Sequence, residues 1–421
     1  MPSLPEVLRN RNFNLYWSGV VLSQIGTRGT VAANFFHVYA LTGSVLQTGL
    51  VGAAQAVALL VLSPLGGVYA DRLDRRRLLQ WAQAVAMVVA LGLAVLTLTG
   101  VVVAWQVLLS VLLTTAAATF DQPARQALIP AMVPRSQLPQ AFALLNPSRE
   151  VAVLVGPAVA GLLITVGGPG LMYALDAITY AALIGVLALL RVPRLATDAA
   201  PRSLWHGIAE GARFVLHRRI IWKLMSLDLA ATLFGAYRVV LPALALDVLH
   251  VGGTEYGMLA SAPSAGALLA TYVVFRVVDR SRRLGRVLLI STVLYGASAM
   301  LLAQSPTLLL ALAAAGLIGA FDAMATSIRH AAVQLETPDE LRGRVSAFYQ
   351  MSSRGGPALG DSFIGAVAGA VGPVLALTAG GLVPVLYAAA FLLRPNEVRA
   401  YRGAEEPSEE AAAAPQGRLR P

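Results

Sequence analysis

The 421-residue sequence contains no cysteine, a single lysine (Lys223) and few charges of either sign, with Asp, Glu, Lys and Arg together making up only 13% of it. The missing cysteine excludes disulfides and thiolate metal sites. The shortage of charge excludes more. A soluble domain carries roughly 25% charged residues, so this chain lacks the polar surface for the ~three globules its length would otherwise suggest. Also missing are a phosphate-binding glycine loop, a paired-cysteine metal motif and a nucleophile–base set, and the five histidines are scattered among distant segments. ATP-driven transport, hydrolysis, a cofactor and a dedicated metal cage therefore have no support, and the chain does not read as an enzyme.

What it has is apolar residues, 57% of the total, in runs of about 20 that match the thickness of a bilayer. Runs bounded by Gly, Pro or charge predict twelve spans near 14–41, 46–70, 78–99, 104–122, 141–166, 171–190, 220–248, 256–278, 286–303, 307–328, 345–370 and 374–393. The fold class is an all-α membrane protein of twelve transmembrane helices. The opening MPSLPEVLRNRNF has no small-residue cleavage site before its apolar run and reads as the approach to an uncleaved first span.

The net charge is +10, from 32 Lys+Arg against 22 Asp+Glu. In a soluble protein this would raise nucleic acid as a partner; here it fits loops held at an anionic inner leaflet, with membrane lipids as the partner and no nucleic acid. Alternate connections, both tails and the adjoining helix ends hold 28 of the 32 positive residues, and the remaining connections hold none. That asymmetry predicts both termini in the cytoplasm.

The two halves repeat. Asp71-Arg72-Leu73-Asp74-Arg75-Arg76-Arg77 follows the second span, and Asp279-Arg280-Ser281-Arg282-Arg283 follows the eighth, 208 residues later. Phe120-Asp121 and Phe321-Asp322 lie low in the fourth and tenth spans, 201 residues apart. Similar offsets at unrelated landmarks indicate a duplicated six-helix unit. The domains are then a six-helix bundle over 1–190, a linker with an interfacial helix over 191–219, a second bundle over 220–395 and a low-complexity, disordered tail over 396–421.

Gly67-Val68-Tyr69-Ala70-Asp71-Arg72-Leu73-Asp74-Arg75-Arg76 resembles the signature loop of the major facilitator superfamily, with Asp74 where that family usually has a second Gly. Asp121-Gln122-Pro123-Ala124-Arg125 and Asp339-Glu340-Leu341-Arg342-Gly343-Arg344 look like the branch that holds bacterial siderophore exporters and macrolide efflux proteins. Gly156-Pro157-Ala158-Val159-Ala160-Gly161 is similar to the antiporter motif of exporters, with Ala160 in place of one Gly. The fourth span lacks the Arg that drug antiporters of the superfamily often carry there. The resemblance implies two pseudo-symmetric bundles that rock about a central cavity, in the inner membrane of a bacterium.

Physically, Gly67 allows close helix approach. Asp71 can accept hydrogen bonds from a helix N-terminus of the opposite half or pair with Arg342 or Arg344, and the repeat predicts a mirror contact of Asp279 with Arg125 or the start of span five. Contacts of this kind, with Arg72, Arg75 and Arg76 beside them, form only when the cytoplasmic mouth is closed.

Four arginines fall inside spans: Arg28, Arg149, Arg238 and Arg354. Each costs ~2.5–3.5 kcal/mol at a helix centre even on the mild insertion scale, so each needs water or an acid. Candidate partners are Glu150, Asp176, Asp228, Asp322 and Asp361. The resemblance implies that spans one, four, seven and ten line the cavity, which makes Arg28, Asp228, Arg238 and Asp322 the cavity candidates. A carboxylate that alternately meets an Arg and water has the property needed to couple a proton to transport. His37 reads as a satisfied core histidine.

The leading expectation is a monomeric, proton-coupled exporter of a small amphipathic molecule, either a drug, as in multidrug efflux, or a siderophore-like compound. Uptake, lipid flipping and a non-transporting membrane sensor are the alternatives.

Overall fold

The computed structural model describes residues 6–72, 74–190, 204–281 and 283–403, with the side chains at 63–72, 123, 127, 146, 204–208 and 278–280 outside the description. No strand occurs among the described residues.

The first six long helices are α1 (Arg11–Thr42), α2 (Val45–Arg72), α3 (Arg75–Leu98), α4 (Ala104–Leu128), α5 (Leu138–Gly167) and α6 (Pro169–Leu189). An amphipathic connecting helix, α7 (Leu204–His217), leads to α8 (Arg219–Phe234) and the short α9 (Leu241–Ala243). The second half continues with α10 (Gly253–Arg280), α11 (Leu284–Ala303), α12 (Leu308–Leu335), α13 (Arg342–Val371), α14 (Pro373–Leu393) and a final turn, α15 (Glu397–Ala400). Each predicted span finds its helix, and α4 and α12 run several residues past the expected ends. Among the described residues, nine helices are long and apolar enough to cross a membrane. The three further spanning helices that miss that criterion are α1, α8 and α13, which carry Arg28, Asp228, and Arg354 with Asp361.

Local chemistry sets several boundaries. Asn10 caps α1 by accepting from the Asn12 and Phe13 N–H groups, and Gly43 ends it at φ 60°, a left-handed position that suits glycine. Asp74, the departure from the signature loop, caps α3 by accepting from the Arg76 and Arg77 N–H groups.

The seventh span departs from expectation. It was expected as one helix over 220–248, but α8 stops at Phe234 and regular α-helix resumes only at Leu241. Pro242 cannot donate within a helix, and the freed Gly235 carbonyl accepts from the Tyr295 hydroxyl at 3.0 Å. Such a break is tolerated at membrane depth only inside protein. The start of the expected disordered tail is also ordered: Val398 is buried, Glu397 meets Lys223 at 3.2 Å and the Gly285 N–H donates to the Tyr401 carbonyl.

The halves cross at two helix pairs, α5 with α10 and α2 with α13. A Cβ on Gly161 would stand 2.7 Å from Gly257 Cα, and one on Gly49 would stand 2.9 Å from Gly365 Cα. The residues at the second crossing lie 204 and 208 positions from their counterparts at the first, the offset of the sequence repeat. Beyond the crossings the cores behave differently at the two ends. At the end away from the termini, one buried apolar cluster joins both halves, from Ala32 and Phe35 to Val240 and Tyr256. At the terminus-bearing, arginine-rich end, the first half has its own cluster (Phe13, Tyr16, Leu128, Leu187) and the second half another (Leu224, Leu288, Ile328). Among the described residues no buried apolar cluster joins the halves at that end, which puts the cleft between the bundles on the arginine-rich side.

Candidate functional site

Arg28 sits where α1 packs closely on α5. A Cβ on Gly156 would lie 2.7 Å from Arg28 Cβ and 2.8 Å from the Ile25 carbonyl oxygen, so the motif glycine sets the depth at which Arg28 stands. Arg28 forms no ion pair with a described residue, and it lies within electrostatic reach of Arg149, Glu150, Arg238 and Arg354. Arg149 and Glu150, adjacent on α5, are both exposed and both free of ion pairs among the described residues. Arg354 on α13 reaches across to the other half, where it donates to Gln122 Oε1 at 2.6 Å, and it donates to Gln350 Oε1 at 3.3 Å.

The helix break places Arg238. Its guanidinium pairs with the fully buried carboxylate of Asp361 on α13 and lies 5.7 Å from the Phe35 ring centre. The four arginines that the sequence left unplaced thus converge on one region, drawn from α1, α5, the α8–α9 break and α13. Among the described residues, Arg238 is the one of the four with an acid as direct partner. Like charges this close repel unless an anion or water lies among them.

Asp228 was expected in the cavity and is instead locked away. It pairs with Arg329 at 2.6 Å, with the side chains 7% and 3% exposed. Arg329 had been read as part of a loop, yet α12 continues to Leu335 and carries it inside; its spacing of seven residues from Asp322, two helical turns, was the available signal. Asp322 itself is solvent-accessible and has no ion pair among the described residues; Thr326 donates to it at 3.4 Å. In the first half, Asp121 pairs with Arg125 at 2.6 Å, Gln83 donates to Asp121 at 2.6 Å, and Arg125 donates to Ser23 at 3.3 Å.

Other expected roles resolve as follows. Arg76 donates to the Ala188 and Leu190 carbonyls and so caps the end of α6. Arg342 pairs with Asp339 beside it, and Arg344 pairs with Glu210 of α7 at 2.6 Å. Gly67, Asp71, Arg72 and Asp279 are gate candidates whose side chains lie outside the described ones; Arg75 has a partner. Pro157 stays within α5 next to Gly156, and its carbonyl lies 2.6 Å from a Cβ built on Gly257. His37 is buried with Nδ1 3.1 Å from the Tyr173 hydroxyl, a packed core contact. Asp176 is 1% exposed beside Thr179, off the cleft. Phe234 packs edge-on against Phe363 and is taken up in packing.

The far end is sealed by contacts that sequence reading missed. Tyr39 donates to Asp247, the Tyr256 hydroxyl donates to the Ala32 carbonyl at 2.8 Å, and Thr165 meets Thr254 at 2.9 Å; each joins one half to the other.

A family model described as "Transmembrane secretion effector" matches residues 5–417. The enterobactin exporter EntS of Shigella boydii serotype 18 is 28% identical over 371 residues, covering 87% of this chain and 87% of that protein. EntS of Salmonella typhimurium is 27% identical over 371 residues, covering 87% of this chain and 88% of that protein. Among solved structures, the D323A mutant of the nucleoside transporter NupG superposes with a TM-score of 0.74 at 15% identity, over 90% of this chain and 99% of that one. A bacterial homologue of the human lysosomal transporter Spinster, inward-facing and unoccupied, superposes with a TM-score of 0.67 at 16% identity, over 90% of this chain and 96% of that one. At these identities the structural likeness concerns the fold alone.

Proposed function

Because the chain belongs to the transmembrane secretion effector family of major-facilitator transporters, we propose that it works as a secondary exporter, moving a small amphipathic molecule out of the cytoplasm by alternating access with proton entry resetting the cycle. In this reading the arginine-rich end faces the cytoplasm of a bacterial inner membrane. The structure then corresponds to the inward-open state, ready to load.

One observation carries the substrate side of the reading. Arg28, Arg149 and Arg354 converge between the bundles, and among the described residues no acid is directly bound to any of them. An anionic, aromatic-bearing molecule would supply the missing negative charge, and its rings would stack on the guanidinium planes. A siderophore-like catecholate has both properties, and the relatives named as enterobactin exporters make that compound the first probe. A drug with an acidic group would satisfy the same site.

The test uses cells lacking their own efflux pumps, loaded with enterobactin or with ethidium, with and without a protonophore. Wild type should lower accumulation of enterobactin in a protonophore-sensitive way. Arg28→Ala and Arg149→Ala should each weaken apparent affinity about tenfold or more, the loss expected for a charge-assisted contact, with membrane expression preserved. Full activity in both variants would remove these arginines from the binding site, and selective export of ethidium would move the substrate class to lipophilic cations.

A further inference from the structure

The membrane charges of the two halves differ in a way that their sequence repeat conceals. In the first half, Asp121 and Arg125 balance one to one, and their further partners Gln83 and Ser23 are neutral. In the second half, one arginine serves two carboxylates. Arg329 holds Asp228 at 2.6 Å and donates to the Thr326 hydroxyl at 2.8 Å; that hydroxyl in turn donates to Asp322 at 3.4 Å. Asp228 and Arg329 are buried, whereas Asp322 opens to water. The charges acting on Asp322 are those of Arg329 and Asp228. The other titratable groups around this set are phenols: Tyr237 from the helix break, Tyr295 from α11, and Tyr349 from α13, which faces Arg329 and stacks near His330.

We propose that Asp322 is the proton-carrying site of the transport cycle, that Arg329 is the positioning residue linking it to Asp228, and that the Asp121–Arg125 cluster of the first half carries no proton. The proposal rests on the proton-coupled reading above.

The argument is one of charge balance. A proton taken from cleft water by an Asp322 carboxylate oxygen leaves the Arg329–Asp228 pair intact and neutral. When that proton returns to water on the other side, Arg329 is shared by two anions, and Thr326 gives its guanidinium a hydrogen-bonded path between them. The contact between α8 and α12 therefore has two arrangements separated by one proton, which is what a coupling site needs. In the first half, a proton on Asp121 would strip Arg125 of the one acid that pairs with it among the described residues, and its burial makes that costly.

Two other membrane carboxylates lack ion pairs among the described residues. Glu150 stands among Arg28 and Arg149, so protonating it would leave those cations with less compensation. Asp176 is sealed from the cleft. Asp322 alone among the described unpaired acids combines access to water with a local surplus of negative charge.

The test follows the infrared carbonyl absorption of protonated carboxyl groups in the purified full-length protein across a pH titration, which needs no substrate. Wild type should show one titrating carboxyl that Asp322→Asn lacks and that Asp121→Asn and Glu150→Gln keep. The double variant Arg329→Gln/Asp228→Asn, which leaves no unpaired buried charge, should keep the band with a displaced midpoint. In proteoliposomes, with enterobactin or ethidium as probe, Asp322→Asn should retain exchange across the membrane while losing accumulation driven by a pH gradient at least tenfold. A band that survives in Asp322→Asn, or disappears in Asp121→Asn or Glu150→Gln, would overturn the assignment. So would an Asp322→Asn protein that still responds to the gradient as wild type does. Wild-type exchange with no response to a pH gradient would instead overturn the proton-coupled reading itself.

Discussion

Arginine is the residue on which this molecule turns, and its arginines do different work. Arg76 caps a helix, Arg238 and Arg329 are bound to acids, and Arg28 and Arg149 have no direct counter-ion among the described residues. The distinction has a thermodynamic consequence. Removing one partner of a buried ion pair leaves an uncompensated charge and typically costs ~3–5 kcal/mol, whereas removing both restores most of it. Arg329→Gln should therefore lower the thermal unfolding midpoint of the detergent-solubilised protein markedly, and adding Asp228→Asn should recover much of the loss. Arg28→Ala, which breaks no pair, should leave the midpoint near wild type or raise it. A single-variant loss that the double variant fails to rescue would show that Arg329 stabilises through other contacts.

At the scale of helices, the closest approaches between the halves occur where side chains are absent. Gly161 against Gly257 and Gly49 against Gly365 place backbone on backbone at the two symmetric crossings, a geometry that favours dispersion and weak Cα–H contacts over side-chain packing. Gly161→Val should push α5 from α10 and reduce transport by an order of magnitude or more without preventing insertion, since the added side chain is apolar. Crosslinking between cysteines introduced on α5 and α10 would report the separation, and unaltered crosslinking with normal transport would contradict this role. The helix break belongs to the same scale. A run of apolar residues predicts a span but does not reveal that the span is discontinuous, because Gly235 and Pro242 are each tolerated in transmembrane helices. The break follows from the Tyr295 hydroxyl that satisfies the opened backbone and from the buried Asp361 that draws Arg238 inward.

For the whole molecule, closure of the far end is a balance of few contacts. Tyr39 with Asp247 is a polar link between halves at that end, backed by Tyr256 on the Ala32 carbonyl and its ring 5.2 Å from Phe36. A hydrogen bond contributes about 0.5–1.5 kcal/mol, more when one partner is charged. Tyr39→Phe should thus shift the equilibrium between inward-open and outward-open states about threefold to tenfold toward outward-open. The absence of native cysteine makes this directly measurable: single cysteines placed at the far end should label faster in Tyr39→Phe, and those at the arginine-rich end more slowly. Equal rates in both proteins would mean that the latch does not set the balance.

The sequence by itself determined the number and place of the spans, the duplication, the family resemblance, and which residues would be costly inside a membrane. These properties are local: a bilayer reads hydrophobic length, and an arginine in an apolar run is visible without a fold. The sealed far end, the break before Arg238, and the partners of the charges were decided only in three dimensions. Asp228 meets Arg329, 101 residues away, and Arg344 meets Glu210, 134 residues away. Such pairings depend on how each helix is rotated about its axis and on how closely glycine lets two backbones approach, and neither quantity is written in the hydropathy of a single strand of sequence.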